Sequence, residues 1–304
     1  MTTLKMTRRT FSLALSGAAV GAAGASSGLA AELATVTLGD IEVTVLTDGY
    51  FDIPQAFFTG AQADALSAAG DPVVIGANVW LVRAGGRHVL IDTGSGEALA
   101  ARYSTVGKLD ALLAAEGIGK ADISDIVITH MHADHIGGLA GSAGEGFAGA
   151  RIHMARAEWE FWTDPQLPDQ VPEDQRPLVA LVQSIGATLT DRVVTHDGVT
   201  DLGNGLTLVP LPGHTPGHSG VRVVSGGAEL LIIGDAVISQ ALQFADPAIT
   251  YALDSDPKLA AQTRRALLEQ LAQAGTPLAA THLAYPGIGR VARAGSGFAF
   301  TPLT

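Results

Sequence analysis

The sequence predicts an α/β protein built from two sheets packed face to face, with helices on the outer faces. Three observations carry this expectation. From residue 32 onward, short β-type runs alternate with helical stretches, and each half of that stretch opens on strands and finishes on a helix. Apolar residues make up 47% of the chain and charged residues 16%, enough to fill a large core and to exclude intrinsic disorder. A length of 304 residues would allow two domains at roughly 150 residues each. The halves are similar in pattern and no linker, repeat or low-complexity stretch parts them, so 32–304 reads as one domain.

The elements follow in order. Val36–Thr47 alternates apolar and polar residues around Gly39-Asp40, as a hairpin of half-buried strands does. Asn78–Arg83 and His88–Asp92 flank Ala84-Gly85-Gly86-Arg87 and form a second hairpin. Leu109, Leu112, Leu113 and Ile118 recur near helical spacing, which predicts an amphipathic helix over 107–117. Asp125–Thr129 is a short buried strand. The stretch 155–190, with Pro165, Pro168, Pro172 and Pro177, reads as an irregular insertion with short helices. Leu206–Leu211, Val221–Val224 and Glu229–Ile233 are strands joined by Gly-rich turns. Pro257–Ala274 is a helix, and Pro277–Thr281 a last short strand.

Residues 1–31 read as a targeting segment. Lys5, Arg8 and Arg9 form its positive head, and Thr7-Arg8-Arg9-Thr10-Phe11 matches the twin-arginine pattern. An uncharged run rich in Ala, Gly and Ser follows to Ala31, and Gly28 and Ala30 offer a small-residue cleavage site. Export by the twin-arginine machinery, to the periplasm or beyond, is therefore expected. An uncleaved anchor is the alternative, although Ala and Gly insert weakly into a bilayer. The net charge is −12, and removal of three cations with this segment would leave −15 (−12 − 3). Such a surface argues against nucleic acid as a partner. The absence of cysteine excludes disulfides, iron–sulfur clusters, thiol catalysis and Cys-ligated zinc. Any metal must sit on His and carboxylate ligands.

Nine histidines occur, and three of them fall within six residues: Thr129-His130-Met131-His132-Ala133-Asp134-His135. At this chain's His and Asp frequencies, H-x-H-x-D-H would arise by chance in about five of ten thousand sequences. Alternate side chains of an extended segment point the same way, so His130 and His132 can grip one ion. A helix starting near Asp134 swings Asp134 and His135 towards a second, and Gly137 and Gly138 let that helix approach its neighbours closely. Three more candidates stand just past apolar strands: His214 in Pro212-Gly213-His214-Thr215-Pro216-Gly217-His218, Asp235 after Gly234, and His282 after Thr281. Five imidazoles and two carboxylates suit two divalent ions, zinc first, with manganese, cobalt or iron as alternatives. Asp235 can serve both ions through its two oxygens. His218 reads as a residue behind the ligands, and Asp92 either as such an acceptor or as a plain turn cap. His88, His153 and His196 lack comparable context.

These blocks resemble the metallo-β-lactamase superfamily of binuclear hydrolases: I-D-T-G at 91–94, T-H-M-H-A-D-H at 129–135, P-G-H-T-P-G-H at 212–218, G-D at 234–235 and T-H at 281–282. The resemblance implies an αββα sandwich of two mixed sheets. It implies His130, His132 and His214 on one ion, Asp134, His135 and His282 on the other, and Asp235 bridging. Asn78-Val79-Trp80 and the block His282–Gly289 are similar to the branch holding methyl parathion hydrolase and related lactonases. Position 132 is His where flavo-diiron oxygen reductases have Glu, which disfavours redox chemistry. Many acyl-homoserine lactonases carry Tyr three positions after the bridging Asp; Ile238 stands there, which would leave the developing oxyanion to the metals.

Two such ions lower the pKa of a shared water, making hydroxide available at neutral pH to attack a carbonyl carbon or a phosphorus. Asp134 and Asp235 can move its proton. Phe57-Phe58 and the trio Trp159, Phe161 and Trp162 either wall an apolar cleft or are ordinary core and dimer contacts. A neutral, hydrophobic ester-type small molecule is the expected substrate, a phosphotriester or a lactone. Lactonase or carboxylesterase action alone, or an exported metal-binding protein without turnover, are the alternatives; a homodimer is allowed.

Overall fold

A computed structural model describes residues 5–12 and 30–303. Of the expected leader, residues 1–4 and 13–29 lie outside the described residues. The first sheet has the spatial order β1 (Lys5–Ser12), β2 (Ala30–Leu38), β3 (Ile41–Ile53), β5 (Val73–Ala84), β6 (Arg87–Ile91), β7 (Ile123–Val127), β8 (Arg151–Ala155) and β9 (Val193–His196). β4 (Phe58–Thr59) pairs instead with β14 (Thr250–Tyr251). The second sheet runs β10 (Thr200–Gly203), β11 (Leu206–Pro210), β12 (Ser219–Ser225), β13 (Ala228–Ile232), β15 (Leu278–Ala279), β16 (Ile288–Ala294) and β17 (Gly297–Pro302). Both sheets are mixed: β6 to β9 are mutually parallel, as are β13 and β15, and the remaining pairs are antiparallel.

The helices are α1 (Ala63–Ala69), α2 (Gly96–Ala100), α3 (Leu109–Ala115), α4 (Ala133–Ile136), α5 (Gly141–Glu145), α6 (Arg156–Thr163), α7 (Leu167–Gln170), α8 (Arg176–Ala187) and α9 (Pro257–Ala274). Strand alternation builds the layers. Trp80, Val82 and Val89 point inward against Leu208, Val221, Leu230 and Ile232 of the other sheet. Their neighbours Leu81, Leu90 and Ile126 point outward onto Leu112 and Leu113 of α3 and Val182 and Ile185 of α8. Leu267, Leu268 and Leu271 of α9 cover the second sheet at Leu231, Leu278 and Val291. These side chains are nearly all fully buried, and each contributes roughly 1.5–3 kcal/mol of apolar burial. α9 begins where Asp256 accepts from the Leu259 N–H (2.9 Å) with Pro257 in the first turn, and ends at left-handed Gly275.

Both expected hairpins form, with Leu38 paired to Ile41 and Ala84 to Arg87. The insertion is more regular than its prolines suggest. Pro177 lies in the first turn of α8, where its missing N–H costs nothing, so it starts a twelve-residue helix rather than breaking one. Strands β9 and β17 lie at sheet edges and β16 beside one, each partly solvated, and they carry no clear period in sequence; β8 lies between β7 and β9 with Ile152, His153 and Met154 all buried, so it shows no alternation.

Candidate metal centre

The parallel ends of β7, β13 and β15 open on the same side of the sandwich, and the loops after them carry the polar residues. One bond crosses between the sheets, the Ser219 N–H donating to Thr129 O (2.9 Å), and another joins the ends of neighbouring β13 and β15, the Ile233 N–H donating to Ala279 O (2.8 Å). α4 sits so close to the 93–96 loop that a Cβ on Gly137 would fall 2.1 Å from Ser95 O, and one on Gly138 2.2 Å from Thr93 O. Only glycine fits there.

All seven sequence-predicted ligands converge, in two groups. His130, His132, His214 and Asp235 form one, and Asp134, His135 and His282 the other; within each, the donor atoms lie within 4.8 Å of one another. His132 Nδ1 is 3.0 Å from both His130 Nε2 and His214 Nε2. Donors on one tetrahedral ion with bonds of about 2.0–2.1 Å lie about 3.3 Å apart, so this spacing is that of a cation cage. Asp235 spans the groups, with Oδ2 3.3 Å from His214 Nε2 and 2.9 Å from His282 Nε2, and Oδ1 3.3 Å from His135 Nε2. Asp134 Oδ2 lies 3.4 Å from His282 Nε2 and is the one carboxylate with appreciable exposure, 21%.

The far nitrogen of each imidazole decides what the near one offers. A carbonyl only accepts, so His282 Nδ1 carries the proton it donates to Gly76 O (2.7 Å), and Nε2 faces inward as a lone pair. Asp92 Oδ2 holds His135 Nδ1 (2.7 Å) and Asp254 Oδ1 holds His214 Nδ1 (2.9 Å), with the same result. Thr129 Oγ1 donates to Asp92 (2.8 Å) and so accepts from His130 Nδ1 (3.2 Å). His218 is no ligand. Its Nδ1 donates to Leu211 O (2.8 Å), and its Nε2 accepts from the Asp235 N–H (2.9 Å), locking the backbone of Asp235. Burial and the neighbouring His214 push its pKa down to about 4, so it stays neutral.

The electrostatics call for positive charge. Burial works against charge on His214, yet the hydrogen bonds to Asp235 and Asp254 lift its pKa to about 9. Burial likewise opposes the Asp235 carboxylate, but His282, His135 and His130 hold it well below the usual range. Among the described residues, His135 Nε2 and Asp235 Oδ1 are buried without hydrogen-bond partners although they face each other. Inward lone pairs, a depressed carboxylate and two orphaned atoms fit a pair of divalent cations.

Sequence reasoning missed several supports. Glu158 of α6 is fully buried; its Oε1 accepts from the Met131 N–H (2.8 Å) and Trp162 Nε1 (2.7 Å), its Oε2 from Thr215 Oγ1 (2.6 Å) and the Gly217 N–H (3.0 Å). It ties the 130–135 loop to the 212–218 loop. Asp254 and Arg264 were missed as well; Arg264 is buried and donates to the carbonyls of Ala236, Pro247 and Ile249. The segment Glu158-Trp159-Glu160-Phe161-Trp162 holds two acids, and nothing in the sequence marks Glu158 as the buried one. Asn78, singled out with Trp80, proves to tie β5 to the His282 loop, donating to Thr281 O (3.1 Å) and Leu283 O (2.9 Å). His153 and His196 stack away from the site, with Asp125 accepting from His153.

Residues 73–282 match the model of the metallo-beta-lactamase superfamily. The chain belongs to that superfamily. The metallo-beta-lactamase fold seen here is shared with AidC, a dizinc quorum-quenching lactonase solved with the product N-hexanoyl-L-homoserine (TM-score 0.82, 26% identity, 90% of this chain and 97% of that one). The hydrolase AbOPH is similarly near (TM-score 0.81, 27% identity, 89% and 97%). In sequence, the chain is similar to the probable metallo-hydrolase Rv2300c of Mycobacterium tuberculosis (26% identity, 64% of this chain, 68% of that one). It is similar too to the human acyl-coenzyme A thioesterase MBLAC2 (28%, 65% and 66%). Metal-dependent hydrolysis is the activity of this superfamily site, and a small molecule its substrate.

Proposed function

We propose that this protein hydrolyses neutral, apolar esters, lactones with a hydrophobic tail before others, at a pair of divalent ions held by the seven converging residues. The observation that carries the reading is a cavity of about 280 Å³ that reaches the ligand His132 and Asp254 and is otherwise lined largely by apolar residues of the insertion. Phe161, Trp162, Leu167, Leu178 and Val179 are among them, which supports the cleft role for two of the insertion aromatics. Trp159 packs on the core instead, and Phe58 is buried against Tyr251. The likeness to a lactonase solved with a hexanoyl product points the same way.

His130, His132 and His214 would hold one ion, Asp134, His135 and His282 the other, and Asp235 both. Bound there, such ions supply an activated water and polarise the electrophilic oxygen. The chain's own residues do the rest. Asp92, Asp254 and Gly76 O keep the imidazoles aimed. Asp134 Oδ2, the exposed carboxylate, takes the proton released by the attacking water and passes it to the leaving alkoxide. Trp162, 5.4 Å from the His132 ring, keeps water from the apolar side.

A phosphotriester is the finer branch reading from the Asn78-Val79-Trp80 and His282–Gly289 blocks, and export through the leader over 1–31 belongs to the same proposal. The test is a side-by-side assay of metal-loaded protein on a hexanoyl homoserine lactone and a p-nitrophenyl phosphotriester. Turnover of the lactone at least tenfold faster supports the proposal; turnover of the phosphotriester alone replaces the substrate.

A further inference from the structure

Asp48 is a fully buried carboxylate to which the metal-holding scheme assigns no task. It stands at a bulge in β3: Thr47 pairs with Asn78 and Gly49 with Ala77, which leaves Asp48 as an extra residue without a partner on β5. Its side chain meets two loops at once. Oδ2 accepts from the N–H groups of Ser95 (2.9 Å) and Gly107 (3.1 Å), and Oδ1 from those of Lys108 (2.7 Å) and Leu109 (3.1 Å). Four backbone donors on one sealed carboxylate thus join the loop after β6 to the turn that opens α3.

The bond to Ser95 leads on to the metal centre. Gly94 O accepts from the Gly138 N–H (3.2 Å), and Ser95 O lies 2.1 Å from where a Cβ on Gly137 would stand. Thr93 donates to His135 O through both its N–H (2.7 Å) and its Oγ1 (2.9 Å). The 93–95 segment therefore grips α4 at His135 and just past its end, and α4 carries Asp134 and His135 into the centre. His132 and His214 rest instead on Trp162 and Asp254.

We propose that Asp48 is a positioning residue for one half of the centre. By fixing the 93–95 loop under α4, its carboxylate keeps Asp134 and His135 at the spacing a cation needs, and so sets the affinity of the ion in that group without touching it. Ligands must be held within about 0.5 Å of their working geometry, so slack in the loop is felt at the ion. The proposal rests on the two-ion reading of the centre.

Asp48→Asn is isosteric and turns one oxygen into a donor that faces other donors. Zinc affinities of wild type, Asp48→Asn, Asp92→Asn and Asp125→Asn are measured by chelator competition, with Tm read in parallel. Asp92→Asn marks which affinity belongs to the His135 group, because Asp92 holds His135 Nδ1. Asp125→Asn controls for stability alone: it alters a likewise buried carboxylate whose partners are Arg87, Arg151 and His153. The expected result is that Asp48→Asn lowers the affinity marked by Asp92→Asn about tenfold, the low end for a residue standing behind the ligands, and leaves the other within about twofold. Asp125→Asn lowers Tm and leaves both affinities in place. A fall in Tm alone for Asp48→Asn, an equal fall in both affinities, or the same loss in Asp125→Asn overturns the proposal.

Coupling is reciprocal, so the wild-type protein tests the link without a variant. Filling the centre with zinc should slow hydrogen exchange of the Ser95, Lys108 and Leu109 amides about tenfold, while the Leu259 amide at the start of α9 is unmoved. Equal exchange at the clamp with and without zinc overturns the proposal even where Asp48→Asn fails to fold. Wild type that binds fewer than two ions ends the two-ion reading and this proposal with it; two ions held as tightly in Asp48→Asn as in wild type end this proposal alone.

Discussion

His135 and His282 are steadied from within the first sheet, by Asp92 at the end of β6 and by Gly76 O of β5. His132 and His214 are steadied from outside both sheets, by Glu158 and Trp162 of the insertion helix α6 and by Asp254 of the loop before α9. The first group of supports belongs to the sandwich frame itself. The second belongs to segments that also wall the apolar cavity. One half of the centre is thus bound to the scaffold, and the other to the part of the molecule that meets substrate.

Asp235 joins the halves, and its removal has the largest expected effect. Asp235→Asn, isosteric but weaker as a bridge, should cut turnover by at least a thousandfold while circular dichroism stays native, since bridging-metal chemistry is lost. Near-normal turnover in this variant would remove the bridging role. Glu158→Ala comes next. It leaves four donors in a buried region without their acceptor, which should cost about 3–5 kcal/mol, read as a lower denaturant midpoint. The same variant should lose the ion of the His130 group before that of the His135 group; equal loss of both would mean that α6 supports the two groups alike.

Asp92→Asn and Asp254→Asn test the two supports directly. Each should weaken metal binding by about 10- to 100-fold, one at each group, as chelator competition would show. The smallest effect concerns protons. In metal-free protein His214 has its pKa raised from 6.5 to about 9 by Asp235 and Asp254 against burial. Its stabilising charge is fully present below pH 6.5 and is lost as pH rises through about 9. The Tm of the metal-free protein should therefore fall across that window, while the loaded protein stays flat and metal affinity rises. A flat metal-free profile would place the proton elsewhere.

Much of this centre can be read in the chain because its ligands follow apolar strands at short, fixed spacings. His130, His132, Asp134 and His135 lie within one strand-to-helix turn, and local geometry alone brings them together. The hairpins and α9 are legible for the same reason: period, turn glycines and caps are local properties. Glu158 and Tyr251 are not legible. Glu158 looks like a solvated helix acid, and Tyr251 like a core aromatic, until the folded chain sets one under two loops and the other beside His214.

Composition, the cysteine-free ligand set and the spacing of the metal residues are properties of the linear chain, because a cage of imidazoles needs only the right side chains at the right strand ends. Which imidazole nitrogen faces inward and which acid supports it follow from contacts between segments far apart in sequence. Burial is the reason. A carboxylate or phenol changes its chemistry only when the fold removes water and supplies partners, and no single stretch of sequence holds both.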